Sequence, residues 1–338
     1  MYTGRFYSLR EVWCWTWREA GTFLLLALVP TALHEWAALD NLSLPWLPIA
    51  SLGTAVAFLV SFKNNASYDR LWEARKIWGG IVNTSRGWCS AVMSQLHTPP
   101  EDREAGEDLA SLRSRLIHRH LAWLTALRYQ LRQYRPWEDA VSTRHLDAHL
   151  GVRVPEWEQP FEAALARDLG DEERARVLDA PNPATAILLT QSRALEGMQG
   201  KGLLTDYRQV EMQAILRRLL DLQGQCERIK NFPYPRQYAT LNRYFVRLFI
   251  ALVPFGMLEK FESFGSGMVW LTIPFSVLIA WVFHTMEKIG SATENPFEGS
   301  ANDVPISTLA LAIERDLLHA LGEPLRTERS EEGKTVWL

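Results

Sequence analysis

Residues 61–80 read SFKNNASYDRLWEARKIWGG and follow directly on an uncharged apolar run, LSLPWLPIASLGTAVAFLVSF, over residues 42–62. No glycine, proline or other turn signal separates the apolar run from the first polar residues after it. A membrane helix that meets charge commonly ends in a loop. Here the pattern predicts a single helix that leaves the membrane and continues into water while its side chains become strongly polar.

Composition excludes several classes of protein. The chain has 338 residues and a net charge of -3, so we expect no nucleic-acid partner. Its three cysteines, Cys14, Cys89 and Cys226, are widely spaced and form no CxxC pair, which argues against a disulfide framework or a zinc site. Apolar residues are concentrated toward both ends of the chain, and a charge-dense block lies between them.

Four apolar runs stand out. Residues 42–62 and 263–286 are each long enough for the roughly 20 residues that span a bilayer core. Residues 20–36 and 244–258 are weaker, and either one alone could be a buried helix of a soluble protein. Each weak run is followed by a strong one across a short connection, which predicts two hairpins and four transmembrane helices.

The distribution of charge predicts the orientation of these hairpins. The link HEWAALDN, residues 34–41, contains no lysine or arginine, and the link EKFESFG, residues 259–265, contains one lysine and two glutamates. By the positive-inside rule these links are external, and both termini and the middle block are cytoplasmic. The basic residues that flank the runs on the other side are Arg5, Arg10, Arg18, Lys63, Arg70, Arg75, Lys76, Arg236, Arg243 and Lys288.

The middle block shows helical periodicity and no alternating strand pattern. LASLRSRLIHRHLAWLTALRYQLRQY, residues 109–134, and DYRQVEMQAILRRLLDLQGQCERIK, residues 206–230, both place apolar residues at helical spacing. We therefore predict an all-α polytopic membrane protein with a large helical cytosolic region.

The predicted division of the chain has four parts. Residues 1–62 form an N-terminal segment with two transmembrane helices, and residues 63–236 form the cytosolic helical region. Residues 237–286 form two further transmembrane helices, and residues 287–338 form a C-terminal cytosolic segment and tail.

Candidate chemistry for catalysis or metal binding is sparse. No nucleophile, zinc-protease or phosphate-loop motif is present, so we do not expect an enzyme. His118 and His120 are two residues apart and would point in different directions on a helix. Glu294 and Asp303 could bind a hard cation, but without an acidic cluster we favour a structural role in which Asp303 caps the next helix. No metal site and no cofactor is predicted.

The second apolar run carries a distinctive stripe. Thr54, Phe58 and Phe62 are spaced i, i+4 and i+8, so they share one helix face over about 12 Å. The small neighbours Gly53, Ala55 and Ala57 permit close approach of helices. The stripe has two readings: it packs against another helix of the same chain, or a ring of such helices forms an apolar constriction that gates by dewetting.

Four segments in collinear order resemble the bestrophin family in its bacterial branch, and the resemblance covers nearly the whole chain. They are FKNNASYDRLWEARKIWGG (62–80), HRHLAWLTALRYQLR (118–132), GQCERIKNFPYPRQYATLNRYFVRLFIALVPFGM (224–257) and ENPFEGSANDVPISTLALAIERDLLHALGE (294–323). Each motif alone would be weak, and together they are specific.

The resemblance implies a homopentameric ion channel in a bacterial inner membrane, with the second membrane helix lining a hydrophobic neck and continuing into the cytosol. It places the three neck positions on Thr54, Phe58 and Phe62. Thr54 stands where a large aliphatic residue is usual, which implies a wider or more easily wetted outer neck. It also places a cytosolic aperture at Val210, within about one helical turn.

Two departures from the family pattern concern ions. Animal members bind calcium through an acidic run after NPFG, whereas this chain reads NPFEGSAND with Glu298 at the usual glycine, so calcium gating is not expected. The sign of the permeating ion stays open, because family members include anion and cation channels. Lys63 and Arg70 at the inner mouth would favour anions if they face the pore, and the acidic residues there would favour cations. The inner-mouth candidates are Lys63, Asn64, Asn65, Asp69 and Arg70.

The functional prediction is a channel that passes small monovalent ions passively, chloride or sodium, with the lipid bilayer and four further copies of itself as partners. The alternative is a membrane-anchored helical module that senses a signal or binds a partner. A mere anchor has no need of the uncharged stripe at positions 54, 58 and 62.

Overall fold

The fold is helical throughout the residues that the structure describes. The structure is a computed structural model, and it describes residues 1–37, 40–97, 109–138, 147–265, 267–326 and 336–337. Within these ranges the only pairing of β type is one isolated bridge between Tyr2 and Val336. The prediction of an all-α fold is confirmed.

The helices follow one another in chain order. They are α1 (Leu9–Ala37), α2 (Trp46–Gln95), α3 (Leu109–Leu131), α4 (Pro155–Glu158), α5 (Phe161–Leu165), α6 (Asp171–Leu178), α7 (Pro183–Gly200), α8 (Asp206–Asn231), α9 (Arg236–Glu262), α10 (Thr272–Ala292) and α11 (Ile306–Leu321). Short 3₁₀ turns at Asp40–Leu42 and Met268–Leu271 precede α2 and α10.

Helix α2 is the longest element and joins the two halves of the fold. Its 50 residues extend about 75 Å and run through the change from apolar to polar sequence at residue 62 without a break. The helix ends at Gln95, where Leu96 takes an extended conformation. Residues 61–80 therefore continue the helix of the apolar run without a break, as the sequence predicts.

Three helices of the described chain are long and apolar enough to cross a membrane. They are α2, α9 and the continuous stretch Met268–Ala292 that contains α10. Helix α1 has 29 residues, but it carries Pro30 inside and His34 in its last turn, and it is not among the three. The number of four transmembrane helices stays a prediction.

The described residues form two apolar cores, and α2 contributes to both. One core packs α2 against α1, α9 and α10, and its members are Phe23, Ile49, Val56, Val60, Val246, Phe249, Ile250, Val253 and Ala280. Gly53 allows this approach, because a Cβ there would lie 2.6 Å from the Phe249 ring. The other core gathers α2, α3, α7, α8 and α11 around the fully buried indoles of Trp78, Trp88 and Trp123.

The remaining histidine and cysteine predictions concern residues in this second core and its edge. Cys89 and Cys226 are buried free thiols, and Cys14 is half-buried and also free. His120 is fully buried between Trp88 and Trp123, and burial lowers its pKa to about 3. The neighbouring His118 lies elsewhere, so the two histidines do not form a metal pair.

Candidate ion pathway on helix α2

Helix α2 has one packed face and one exposed face along its membrane part. The packed positions recur at helical spacing, and they are Ile49, Gly53, Val56, Val60, Lys63 and Ser67. On the opposite side Thr54 is exposed, and Phe58 and Phe62 keep 63% and 68% of their surface exposed. More than half of the surface of each phenylalanine is therefore left uncovered by the rest of the chain, as an aromatic stripe facing a neighbour or a pore would be.

Of the three small neighbours of the stripe, Gly53 lies on the packed side, whereas Ala55 and Ala57 are exposed. Gly53 faces the Phe249 ring on α9, so close helix approach occurs on the packed side of α2. Thr54 on the exposed side donates its hydroxyl to the Ala50 carbonyl at 3.1 Å, within its own helix. The reading in which the stripe packs inside the same chain has no support among the described contacts.

Lys63 directly follows Phe62 in sequence, yet its side chain points into the protein. It is 2% exposed, and its ammonium lies 2.7 Å from the Ser291 hydroxyl. The carboxylates of Glu287 and Glu294 lie 3.4 and 3.5 Å away. A lysine so buried needs these acceptors, because an unpaired buried charge is costly.

The same two glutamates extend the ion pairs to α9. Arg236 Nη1 lies 2.8 Å from Glu294 Oε1, and Arg243 Nε lies 3.6 Å from Glu287 Oε1. The cluster joins α2, α9 and the end of α10, next to the core that the apolar parts of these helices form. The apolar pattern alone does not predict this cluster, although it holds one signal: Lys63 and Glu287 each come directly after a long apolar run.

Arg70 donates hydrogen bonds to three backbone carbonyls of the same chain. Its Nε donates to Glu294 O at 3.0 Å, and its Nη2 donates to Ile229 O at 3.2 Å and Phe232 O at 2.9 Å. These acceptors include carbonyls at the C-terminal end of α8, which otherwise lack partners within the helix. Burial lowers the pKa of the Arg70 guanidinium, and the nearby Glu294 acts in the opposite sense.

Asn64 also ties helices together, because its Nδ2 donates to the Met286 carbonyl of α10 at 3.0 Å. The Asn64 side chain packs closely against α10 at Gly290, because a Cβ at Gly290 would collide with Asn64 Oδ1. Three of the five predicted inner-mouth residues, Lys63, Asn64 and Arg70, therefore bind other parts of the same chain.

The other two predicted inner-mouth residues, Asn65 and Asp69, are exposed. At 100° per residue they lie about 20° to either side of Phe58 around the helix axis, whereas Lys63 lies about 140° away. Asp69 stands seven residues after Phe62, about 10 Å along the axis. The structure thus brings Asn65 and Asp69 onto the stripe of Thr54, Phe58 and Phe62 and turns the basic residues away from it.

Val210, the predicted aperture residue, lies in the first turns of α8 and is 60% exposed. Tyr207, three residues earlier, is 92% exposed, and Ala214, four residues later, is also exposed. The three positions share one helix face. The other side of α8 packs on α2, and its buried residues in the shared core are Met212, Leu216, Leu219 and Leu222.

The loop between α10 and α11 is organised by Asp303. This carboxylate is 5% exposed and accepts the backbone N–H groups of Phe297 (2.8 Å), Gly299 (2.7 Å) and Val304 (2.6 Å). Arg132 donates to it as well, at 2.8 Å. Asp303 does not cap α11, as the sequence suggested, because the N-cap of that helix is Pro305.

Two further residues of this loop are unusual. Phe297 is fully buried with φ of 77°, a left-handed conformation that is rare for a bulky residue and that the Asp303 hydrogen bond holds in place. Glu298 has a buried Oε1 without a hydrogen-bond partner among the described residues. Burial, with Glu138 nearby, raises the pKa of Glu298 to about 8.

The described residues contain no group of three or more histidine, cysteine or acidic side chains placed to hold a metal ion. His118 instead bridges two carboxylates, with Nδ1 2.9 Å from Asp168 and Nε2 2.9 Å from Glu323. Hydrogen bonding to these carboxylates, to Asp168 most, raises the pKa of His118. These contacts fix α3 to the end of α11.

Long apolar helices, an aromatic stripe exposed along the longest of them, and polar helices beyond it define a helical membrane protein. A profile described as "Bacterial/Fungal Bestrophin protein" matches residues 11–319. The chain belongs to this bestrophin family, as its four motifs indicate.

Named relatives are channel-forming proteins. The chain is 32% identical over 303 residues to "Voltage-dependent anion channel-forming protein RSc3414" of Ralstonia nicotianae, covering 88% of this chain and 85% of the relative. It is 28% identical over 294 residues to "Voltage-dependent anion channel-forming protein YneE" of Escherichia coli K12, covering 87% and 83%.

The fold is similar to that of a solved bacterial bestrophin homologue from Klebsiella pneumoniae, with a TM-score of 0.73 and 24% identity over 91% of this chain and 98% of that one. A further solved structure, described as that of a membrane protein, gives a TM-score of 0.74 over 91% of this chain and 99% of that one. At 24% identity these likenesses concern the fold alone.

Proposed function

We propose that this chain is one subunit of a pentameric channel through which small monovalent ions pass passively. The observation that carries the proposal is the exposed, uncharged stripe of Thr54, Phe58 and Phe62 on the face of α2 that the rest of the chain leaves open. An anchor for a cytosolic module would meet lipid with any apolar residues. Membership of the bestrophin family, whose named relatives form channels, supports the same conclusion.

Five copies of α2 around one axis would turn the stripe into a neck of stacked rings. Phenylalanine rings at two levels would make an apolar constriction that conducts when wetted and closes when dry. Thr54 at the outer level adds a hydroxyl, which donates to a carbonyl of its own helix. Its oxygen is still able to accept a hydrogen bond from water, which eases entry of water there.

The inner mouth of this neck would be lined by Asn65 and Asp69 rather than by Lys63 and Arg70. Asp69 is the exposed charge of α2 that lies nearest to the neck, and five copies would form a ring of carboxylates. Such a ring raises the local concentration of cations. The named relatives are anion channel-forming proteins, so the sign of the permeating ion is the property to measure first.

The pathway continues in the cytosolic region toward Val210. Its exposed face with Tyr207 and Ala214 would form a second, wider constriction if five α8 helices surround the same axis. Support comes from the packing of α8 on α2, the helix that carries the stripe, and from the exposure of Val210.

The proposed setting is a bacterial inner membrane with both termini in the cytoplasm. Basic residues cluster at the ends of the apolar runs that lead to the large helical region, and the links at the other ends hold few. In this arrangement residues 1–62 and 237–286 supply four membrane helices, and residues 63–236 and 287–338 lie in the cytosol.

Two measurements on purified full-length protein test the proposal. Mass photometry in detergent should give the mass of a pentamer, and reconstituted liposomes should pass Na⁺ or Cl⁻. Planar-bilayer recording in asymmetric NaCl then gives the sign of the reversal potential. A folded monomer that passes neither ion would refute the channel and favour the anchored helical module.

A further inference from the structure

Three arginines line one face of the first half of α9. Arg236, Arg243 and Arg247 are separated by seven and four residues, so they fall on one helical stripe. The side chains of Arg236 and Arg243 are 51% and 42% exposed, and Arg247 is exposed as well. This stripe belongs to a helix that is long and apolar enough to cross a membrane.

A cavity of about 340 Å³ opens along this stripe. It lies where α9, the end of α10 and the segment after α3 meet. Besides the arginines, its wall includes Thr240, Tyr244, Trp137, Glu138 and Glu294. Tyrosine and tryptophan are the residues that prefer the boundary between the hydrocarbon core and the headgroups.

The charges in this cavity do not cancel. Glu138 is paired with the buried Lys230, and Glu294 is paired with the buried Lys63 as well as with Arg236. Both carboxylates of the wall are therefore matched by lysines that lie outside it. Arg243 also pairs with Glu287, a carboxylate that shares Lys63 with Glu294. Three cations therefore meet these two carboxylates, and Arg247 adds one more positive charge to the wall.

Arg247 is the arginine with the greatest need of an anion. No hydrogen bond or ion pair of its side chain is found within the described part of the chain. It lies eleven residues, about 16 Å, beyond Arg236 and fifteen residues, about 22 Å, before the end of α9 at Glu262. A hydrocarbon core about 30 Å thick then includes its Cα, so the guanidinium must extend toward the headgroups.

We propose that this cavity binds the phosphate group of an anionic phospholipid in the cytoplasmic leaflet, with Arg247 and Arg243 as its donors. Arginine presents a planar fork of N–H groups that matches phosphate oxygens, which a point charge does not. Basic pockets between membrane helices on the cytoplasmic side are suited to anionic headgroups. A lipid, unlike a free phosphate, also places its glycerol and chains beside the apolar α9 surface and the rings of Trp137 and Tyr244. The proposal requires the proposed topology but not ion conduction.

The test is retention of lipid by the purified full-length protein. Native mass spectrometry after incubation with phosphatidylglycerol should show bound lipid, and incubation with phosphatidylcholine should not. Arg247→Gln should lower phosphatidylglycerol retention about ten-fold, the factor that loss of one charged hydrogen bond gives. Arg193→Gln, at an exposed arginine of cytosolic helix α7, is the matched control and should retain lipid as the natural protein does.

A second variant, Arg247→Lys, separates the shape of the donor from its charge. Arg247→Lys keeps the charge but not the fork, so intermediate retention with an unchanged melting temperature supports the proposal and excludes misfolding. Equal retention of phosphatidylglycerol by natural protein and Arg247→Gln overturns it. Inorganic phosphate that binds where the lipid does not would make this a site for free phosphate, and loss of the oligomer in Arg247→Gln with unchanged lipid would place a neighbouring subunit there; either overturns it.

Discussion

The ammonium of Lys63 donates to the Ser291 hydroxyl at 2.7 Å, so the residue next to Phe62 is a cation buried within its own chain. Its removal leaves Glu287 and Glu294 with less compensation in a buried site. We expect Lys63→Met to lower the free energy of unfolding by about 3–5 kcal/mol. Thermal melting followed by circular dichroism in detergent measures this loss.

Lys76 supplies the matched control, because it is an exposed lysine on the same helix. Lys76→Met should melt within a degree or two of the natural protein, since isolated surface charges contribute little. A Lys63→Met protein with normal melting and an altered reversal potential would show that Lys63 meets the ion after all.

Truncation of the neck should change conduction and leave the subunit fold intact. Phe58→Ala and Phe62→Ala remove rings that are mostly exposed in the subunit, so we expect larger currents because an apolar constriction is widened and wetted. Val60, on the same two turns but 3% exposed and packed in the membrane core, is the control. Val60→Ala should cost roughly 1–3 kcal/mol of stability instead. Bilayer currents and melting curves of all three variants separate the two roles, and lower melting temperatures for the phenylalanine variants with unchanged currents would assign the rings to packing.

Neutralising Asp69 should shift selectivity. Asp69→Asn removes five carboxylates from the proposed inner mouth, so the ratio of sodium to chloride permeability should fall several-fold, whatever its starting value. The measurement is the reversal potential in asymmetric NaCl. Glu172→Gln, at a side chain of α6 that is 92% exposed, should leave the reversal potential unchanged. An unchanged potential for Asp69→Asn would mean that Asp69 does not face the ion.

Asp303 should matter for stability and not for calcium. Its oxygens already accept three backbone N–H groups and Arg132, so we expect Asp303→Ala to destabilise the protein by about 3–5 kcal/mol. Asp316→Ala removes only a surface pair with Arg86 and should cost about 1 kcal/mol or less. EGTA should leave the melting temperature of the natural protein unchanged, and a fall of several degrees would reveal a bound calcium ion.

Glu298 should make stability depend on pH. Burial raises the pKa of Glu298 to about 8 in the folded protein, so folding favours its protonated form. Its contribution to the free energy of unfolding is fully present below the unfolded pKa of about 4.3. That contribution is lost as pH rises from about 4.3 through 8. Glu298→Gln is neutral at every pH, so at pH 8.5 it should melt several degrees above the natural protein. At pH 5 the two proteins should melt alike, and a gap of the same size at both pH values would contradict a raised pKa.

The helices and their membrane character could be predicted from the sequence because they depend on local periodicity and on the length of apolar runs. The unbroken exit of α2 was visible in residues 61–80, since no turn signal interrupts them. The helices of residues 109–131 and 206–231 likewise follow from the spacing of leucines.

Side-chain direction could not be predicted, because it depends on which face of α2 other helices cover. Lys63, Asn64 and Arg70 occupy the polar stretch as visibly as Asn65 and Asp69 do, and only their partners distinguish them. Those partners, Ser291, Met286 and the end of α8, lie more than 150 residues away along the chain. The role of Asp303 was missed in part for the same reason, since Arg132 and the loop N–H groups meet it only in the fold.

The unbroken course of α2 means that its apolar half and its polar half share one rotational setting. Trp78 is buried in the core that α2 forms with α3, α7, α8 and α11, and Phe58 belongs to the exposed stripe. No loop lies between them to absorb a change. One residue inserted between them would rotate Phe58 by about 100° about the helix axis, whereas four would rotate it by only about 40°. The spacing along this stretch is therefore as constrained as the identity of its residues, and chain-length variation has to occur elsewhere.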